Sequence, residues 1–284
     1  MASYHQGRRN TPAARARHRL FHACLLVAAV LLLLLPLVGP WLAPHDPNAA
    51  DILARLQPPS AEYPLGTDAL GRCLLSRLLW GARVTLLWSA LIVIIAAAIG
   101  TAVGLYCGYR RGWPDLVLMR LVEGVSVLPA LVIAVVISGL LGLGLQAMVI
   151  ALIAVHWTGY ARLVRNTIVA ESARLYVTAA RSMGVPQSRI LWRHLLPNIG
   201  SPLFVLASHS MSAMMLSFAG LSFLGLGVEP GVAEWGRIIA DGRNHMRSAP
   251  RLVLAPGLTI VTVIVTLNLI GDELADHWRR GSSL

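Results

Sequence analysis

The chain contains no lysine, and all 24 of its basic residues are arginines. A P-loop ATPase needs a lysine that reaches the β- and γ-phosphates of ATP, and a Schiff-base enzyme needs a lysine amine. Neither site can be built from this sequence. The chain therefore cannot hydrolyse ATP with a P-loop of its own, and an ATP-driven step would require a separate subunit.

Cysteine is also scarce. The three cysteines, Cys24, Cys73 and Cys107, are far apart in the sequence and form no CxxC pair. The spacing that is typical of a zinc or redox site is therefore missing. We interpret the three residues as small apolar side chains that pack among their neighbours.

Charged residues make up only 13% of the 284 residues, against about 25% in soluble globular proteins. Hydrophobic residues account for 56%, and the mean hydropathy is +0.66. Much of the surface is therefore expected to face lipid. The formal net charge of +11 has to be interpreted on a membrane topology, because basic residues are distributed unequally between the two sides of a bilayer.

Six apolar runs approach or exceed the ~20 residues that a helix needs to cross a bilayer. The sequence thus predicts an all-α membrane protein with six transmembrane helices. The runs lie at residues 20–42, 84–107, 116–140, 145–163, 199–221 and 252–269.

The first run could be a signal peptide or a retained helix. It is longer than the ~7–15 apolar residues of a signal core, and the stretch 41–44 at its end is more typical of an interface anchor than of a cleavage site. We favour a retained helix. The chain then divides into a basic N-terminal tail (1–19), the first transmembrane helix (20–42), an extracytoplasmic segment (43–83) and a core of five helices (84–284) with a polar loop (164–198).

The arginines set the predicted orientation. If the N-terminus lies inside the cell, the inner segments hold most of the arginines and few acidic residues, whereas the outer arginines are nearly balanced by acids. This is the positive-inside pattern. The net charge therefore indicates membrane orientation, and we expect no nucleic-acid partner.

The polar loop is predicted to form two short helices joined by a sharp turn. Ser172 is expected to cap the first helix, and Gly184 to end it in a left-handed conformation. Pro186 suits the start of the second helix, which is expected to cover 187–195 and to end before Pro197. Such a pair could lie on anionic lipid or dock in a groove of a partner, and the periodicity leaves both alternatives open.

The same loop resembles the coupling-loop signature of bacterial ABC importer permeases, in which an EAA triplet precedes a glycine, an isoleucine and a Leu-Pro pair. Thr178 stands where the family usually has Glu, which puts a contact by that carboxylate in doubt. The resemblance implies that the loop docks in a groove of a separate ATPase and transmits its closure. The residues that it assigns to this coupling are Tyr176, Thr178, Ala179, Ala180, Arg181, Gly184, Ile190, Leu196 and Pro197.

Three motifs in the outer segments narrow the resemblance. The stretch 65–77 is similar to dipeptide, oligopeptide and nickel permeases, although these usually have Asp where Cys73 stands. The FLGLG motif at 223–227 and the Glu-Trp-Gly motif at 234–236 resemble the second of the two permeases in those systems. Together with the loop, the likeness covers nearly the whole chain after residue 40.

The resemblance implies the type I permease fold of ABC importers, in the bacterial inner membrane and with a cytoplasmic N-terminus. It also implies three kinds of partner: a second, similar permease, two ATPase subunits and an extracytoplasmic solute-binding protein. ATP and Mg²⁺ would be bound by the ATPases, so we expect no cofactor and no catalytic residue in this chain. Cargo would pass inward by alternating access.

Polar groups inside the predicted helices are candidates for contact with cargo, because they are costly in lipid. Arg120 and Glu123 have i,i+3 spacing and are expected to pair. The remaining groups include ligand types for transition metals, with packing or helix–helix hydrogen bonding as the alternative. The translocation path assigned from them consists of His156, Trp157, His209, Met211, Met214 and Met215.

The two histidines favour nickel or another metal, free or chelated, as the cargo. A di- or oligopeptide is the alternative. No firm metal site is assigned. A membrane enzyme is disfavoured because the chain has no HExxH or GxSxG motif. A passive channel would leave the amphipathic loop unexplained.

Overall fold

The computed structural model describes residues 12–142 and 144–281, and the side chains of 25–142, 144–193 and 195–276. Ten α-helices form the described part of the chain. They are α1 (Pro12–Val38), α2 (Leu74–Arg110), α3 (Trp113–Val127), α4 (Ala130–Leu141), α5 (Leu145–Ser172), α6 (Leu175–Ser182), α7 (Gln187–Ile190), α8 (Leu196–Phe223), α9 (Trp235–Gly242) and α10 (Arg251–Gly281).

Five of the described helices, α1, α2, α5, α8 and α10, are long and apolar enough to cross a membrane. Helices α3 and α4 together make a sixth candidate, but they are bent by 95° at a short break. The third apolar run is therefore not one continuous helix as its hydropathy suggested. Pro129 is the reason, because proline has no amide hydrogen and keeps Leu128 out of the helical region; Leu128 is extended here.

Helix α2 begins at Leu74, well before the second apolar run predicted at residue 84. Its 37 residues make it about 55 Å long, whereas the hydrocarbon core of a bilayer is ~30 Å thick. The boundary drawn at residue 83 thus falls inside a continuous helix. A helix of this length extends beyond the apolar layer.

Helices α2 and α5 run parallel and touch along three glycines of α2. A Cβ on Gly100 would lie 2.3 Å from the carbonyl oxygen of Trp157, and one on Gly104 would lie 2.5 Å from that of Ala161. Gly108 meets Ile168 in the same way. Spacing of four residues puts the glycines on one face, where small residues let two helix backbones approach closely.

The bundle has two ends. Segment 173–195, which contains α6 and α7 and is called the coupling segment below, lies at the end where α2 and α5 finish and α8 begins. At the other end, called the α9 end, α9 packs against the start of α2 and of α10. Cys73 and Cys107 are buried free thiols, which confirms packing for these two; the side chain of Cys24 lies outside the described residues.

Candidate functional site

The turn between α6 and α7 is a Schellman motif around Gly184. Gly184 has a φ of +76°, and its amide donates to the carbonyl of Arg181 at 3.0 Å. The amide of Val185 donates to the carbonyl of Ala180 at 3.1 Å. These are the two bonds that satisfy the last carbonyls of a helix ending on a left-handed residue, so the predicted role of Gly184 is confirmed.

Two local predictions in the coupling segment are wrong. Ser172 does not cap α6, because α5 continues through Ser172 and Arg174 precedes α6 without a side-chain cap. The second helix does not end before Pro197 either. A π-turn at Leu191–Leu195 joins α7 directly to α8, and the wider turn accommodates a proline that can neither donate a backbone bond nor fit a regular turn.

A small apolar core fixes the coupling segment on the bundle. Val177, Ala180 and Ile190 are buried against Val164 and Ile168 of α5. Ala180 and Ile190 therefore hold the shape of the segment from inside. Among the other residues that the resemblance assigned to coupling, Leu196 is half-buried. The remaining residues assigned to coupling are exposed. They are Tyr176, Thr178, Ala179, Arg181, Gly184 and Pro197.

A polar network links α5, α6 and α8 at the base of the segment. The hydroxyl of Tyr176 donates to Glu171 at 2.9 Å, and the amide of Asn198 donates to the Tyr176 oxygen at 3.1 Å. Arg174 pairs with the same carboxylate at 2.9 Å. Burial, then the hydrogen bond to Glu171 and its charge, raise the pKa of Tyr176. The sequence pattern indicated Tyr176 but not Glu171 or Asn198, because their contact exists only in the fold.

The methionines assigned to a translocation path lie inside the subunit. Met214 and Met215 are fully buried, each in an apolar cluster between helices. Met211 is half-buried and packs against the same clusters. Trp157 is half-buried, and its ring nitrogen donates to the carbonyl of Ala154. This burial favours packing for Met214 and Met215.

The two histidines lie on different helices and have protein partners. Nδ1 of His156 donates to the carbonyl of Leu152 at 2.9 Å. Nδ1 of His209 donates to the carbonyl of Val205 at 3.0 Å, and its Nε2 lies 3.2 Å from Asp272 of α10. Both nitrogens of His209 are thus in contact with protein oxygens. Among the described residues, no three His, Cys, Asp or Glu side chains converge as metal ligands would.

The motif at 65–77 forms a buried ion cluster at the α9 end. Asp68 accepts from Arg72 at 2.7 Å and from Arg77 at 2.8 Å, and all three side chains are at least nine-tenths buried. Both arginines also reach Asp241 of α9, at 3.3 and 3.4 Å, and Arg237 pairs with Asp241 at 3.0 Å. The cluster therefore fastens the segment before α2 to α9.

The Glu-Trp-Gly motif makes a second set of contacts that hold α9 to α2 at the same end. Glu234 caps α9, where one carboxylate oxygen accepts from the amide of Gly236 at 2.9 Å and the other from Arg237 at 2.8 Å. It also accepts from the hydroxyl of Thr85 on α2 at 3.1 Å. Burial raises the pKa of Glu234, against the opposing effect of these bonds. Both motifs thus have structural explanations that the sequence did not supply.

The long apolar helices define a multi-pass membrane protein with an exposed coupling segment at one end. Residues 100–281 match the family described as binding-protein-dependent transport system inner membrane component. Residues 16–59 match the N-terminal transmembrane domain of oligopeptide transport permease C. The chain belongs to this family of inner membrane components, which confirms the resemblance stated above.

Two relatives and one solved structure agree with this assignment. The di/tripeptide transport system permease of Pseudomonas aeruginosa (strain UCBPP-PA14) is 40% identical, over 88% of this chain and 85% of the relative. The nickel transport system permease of Escherichia coli (strain K12) is 36% identical, over 89% and 91%. The fold is similar to an inward-facing structure of the MetNI methionine ABC transporter, with a TM-score of 0.56, 18% identity and coverage of 71% of this chain and 95% of that chain.

Proposed function

We propose that this chain forms one half of the membrane pathway of an ATP-driven importer and that a second, similar permease forms the other half. Two ATPase subunits supply ATP and Mg²⁺ binding, and a solute-binding protein docks at the α9 end. The coupling segment is the observation that carries this proposal. Its core is fixed on α5 by Val177 and Ile190, while Thr178, Ala179 and Arg181 stay exposed for a partner.

The coupling segment transmits motion because it is continuous with the bundle. Helix α7 passes through the π-turn into α8 without a loop, and the Tyr176–Glu171–Asn198 network ties α6 to both neighbouring helices. A displacement of α6 by an ATPase would therefore move α5 and α8 together. This arrangement suits alternating access, in which packed helices rock between two positions.

The orientation follows from the same proposal. The coupling segment and the N-terminal tail lie in the cytoplasm, the α9 end lies outside the inner membrane, and cargo passes inward. The distribution of arginines supports this orientation. A cysteine at exposed Ala61, in the segment before α2, should react with an impermeant thiol reagent from the outside of intact cells, and one at exposed Ser182 should not.

For the cargo, we propose a short peptide. The sequence favoured a metal because of His156 and His209, but Val205 and Asp272 account for both ring nitrogens of His209. The relative at 40% identity is named a di/tripeptide permease. Nickel is the second candidate, supported by the relative at 36% identity and by His156, whose Nε2 is the nitrogen left for a ligand once Nδ1 donates to Leu152.

Transport by the reconstituted importer distinguishes the two cargoes. The complete complex is placed in proteoliposomes with ATP, and uptake of a labelled dipeptide is compared with uptake of radioactive nickel. We expect ATP-dependent accumulation of the dipeptide, unaffected by His156→Ala. Nickel uptake that is lost in His156→Ala, without dipeptide uptake, would contradict the peptide assignment.

A further inference from the structure

A cavity of about 620 Å³ lies between α3 and α5, on the side of the bundle near the coupling segment. Binding pockets for small molecules typically have volumes of about 300–1,000 Å³. The polar residues that line it are Asp115, Arg120, Glu123, Ser126, Arg162, Arg165 and Asn166.

Two observations indicate that this cavity faces water or protein and not lipid. Arg120 and Glu123 lie within the bent membrane segment, yet 74% and 60% of their side chains are exposed on the subunit. Charges are rare at such positions unless they face a water-filled cavity or protein. The helix also breaks at Leu128–Pro129, beside the lining residues Ser126 and Val127, and non-helical backbone at membrane depth is tolerated where it lines a cavity or is buried in protein.

The charges around the cavity are not fully paired. Arg165 makes two bonds to Asp115, at 3.0 and 2.6 Å, and Arg120 pairs with Glu123 at 3.1 Å. Arg162 donates to the hydroxyl of Ser126 and has no carboxylate partner among the described residues. The cavity is therefore lined by one more arginine than acidic residues. The unpaired charge is that of Arg162, whose side chain is exposed.

We propose that this cavity is a vestibule on the cytoplasmic half of the pathway, where Arg162 binds the carboxylate of a passing short peptide. The inference rests on the peptide function proposed above and names the group that is recognised. A guanidinium can donate two parallel bonds to a carboxylate, and Ser126 holds one edge of Arg162 in place. In a water-filled vestibule, such binding would be weak enough for the peptide to leave.

A protection experiment tests this site without the solute-binding protein. Met119 lines the cavity, so Met119→Cys in the complete complex, in inside-out membrane vesicles without nucleotide, reports access by a charged thiol reagent. We expect millimolar dipeptide to slow the labelling and the same dipeptide with an amidated C-terminus to slow it far less. Loss of a hydrogen bond to a charged group costs about tenfold in affinity or more, so Arg162→Gln should raise the protecting concentration about tenfold.

Variants separate recognition from misfolding. Arg162→Lys keeps the charge and should retain part of the protection, while Arg110→Gln removes an exposed arginine outside the cavity and should retain all of it. Retention of the ATPase subunits shows that each variant is assembled. The inference is overturned if the dipeptide acid and its C-terminal amide slow the labelling equally, or if neither slows it. It is also overturned if, in nanodiscs, the labelling rate depends on the anionic lipid content and not on the peptide. In each case dipeptide uptake by the unmodified importer remains a separate test of the proposed function.

Discussion

Replacing Gly104 by alanine tests the close approach of α2 and α5. The added Cβ would lie 2.5 Å from the carbonyl oxygen of Ala161, 2.8 Å from the Cβ of Val164 and 3.0 Å from the amide nitrogen of Arg165. Ordinary contact begins at 3.4 Å, so the helices would have to separate by nearly 1 Å. Two of the three neighbours are backbone atoms, which cannot move aside by changing a rotamer.

The magnitude follows from two opposing effects. Overpacking of this kind costs about 1–3 kcal/mol, while alanine in a helix is favoured over glycine by about 1 kcal/mol. We therefore expect Gly104→Ala to lower the free energy of unfolding by up to about 2 kcal/mol. The double variant with Gly100→Ala should cost less than the sum of the two single variants, because one outward shift of α2 relieves both clashes.

Gly159→Ala is the matched control. Gly159 lies in α5, and a Cβ there meets nothing within 4 Å, so this variant should be neutral or slightly stabilised. Unfolding of the purified complex in mixed micelles of increasing SDS content measures both variants against the unmodified protein. Equal stabilities of Gly104→Ala and Gly159→Ala would refute the argument that the glycine face sets the helix spacing.

Three further predictions concern the polar contacts. Asp68→Asn should lower the free energy of unfolding by about 3–5 kcal/mol in the same SDS titration, because it leaves Arg72 and Arg77 buried with less compensating charge; an unchanged midpoint would contradict this. Burial raises the pKa of Glu234, so the folded state holds a proton more tightly than the unfolded state. The stability of the unmodified protein relative to Glu234→Gln should therefore rise as the pH falls from neutral through that raised pKa, and level off below the usual value of about 4.3; thermal unfolding across pH checks the sign, and a flat difference would contradict it. Tyr176→Phe removes two hydrogen bonds worth about 1 kcal/mol each and should speed amide hydrogen exchange in α6 several-fold or more, whereas exchange at the unmodified rate would mean that the network does not stabilise the segment.

Local features of the coupling segment could be predicted from the sequence. A glycine after a short amphipathic run and a proline two residues later specify the turn at Gly184 almost by themselves. The prediction that Ser172 caps α6 was wrong because α5 continues through this position, which outweighs the capping preference of a serine. The prediction that the second helix ends before Pro197 was wrong for a related reason. A π-turn accommodates a proline that would end a regular helix.

Features that depend on distant contacts could not be predicted in the same way. Hydropathy predicted one helix over residues 116–140, although Pro129 in the sequence indicated the break between α3 and α4. The spacing of Gly100, Gly104 and Gly108 was also visible and could have indicated a helix contact, but not its partner. The pairing of Asp68 with Arg77 and of Glu234 with Thr85 requires the tertiary fold.

The central claim is that the exposed face of α6 receives the ATPase. Ala179 is exposed on that face and Ala61 is exposed in the segment before α2, so Ala179→Asp and Ala61→Asp place the same charge in two exposed positions, one of them outside the coupling segment. The direct measurement is ATP hydrolysis by the ATPase subunits that co-purify with each variant. The account predicts that Ala179→Asp loses most of the bound ATPase and its activity while Ala61→Asp keeps both; full retention in Ala179→Asp would contradict it.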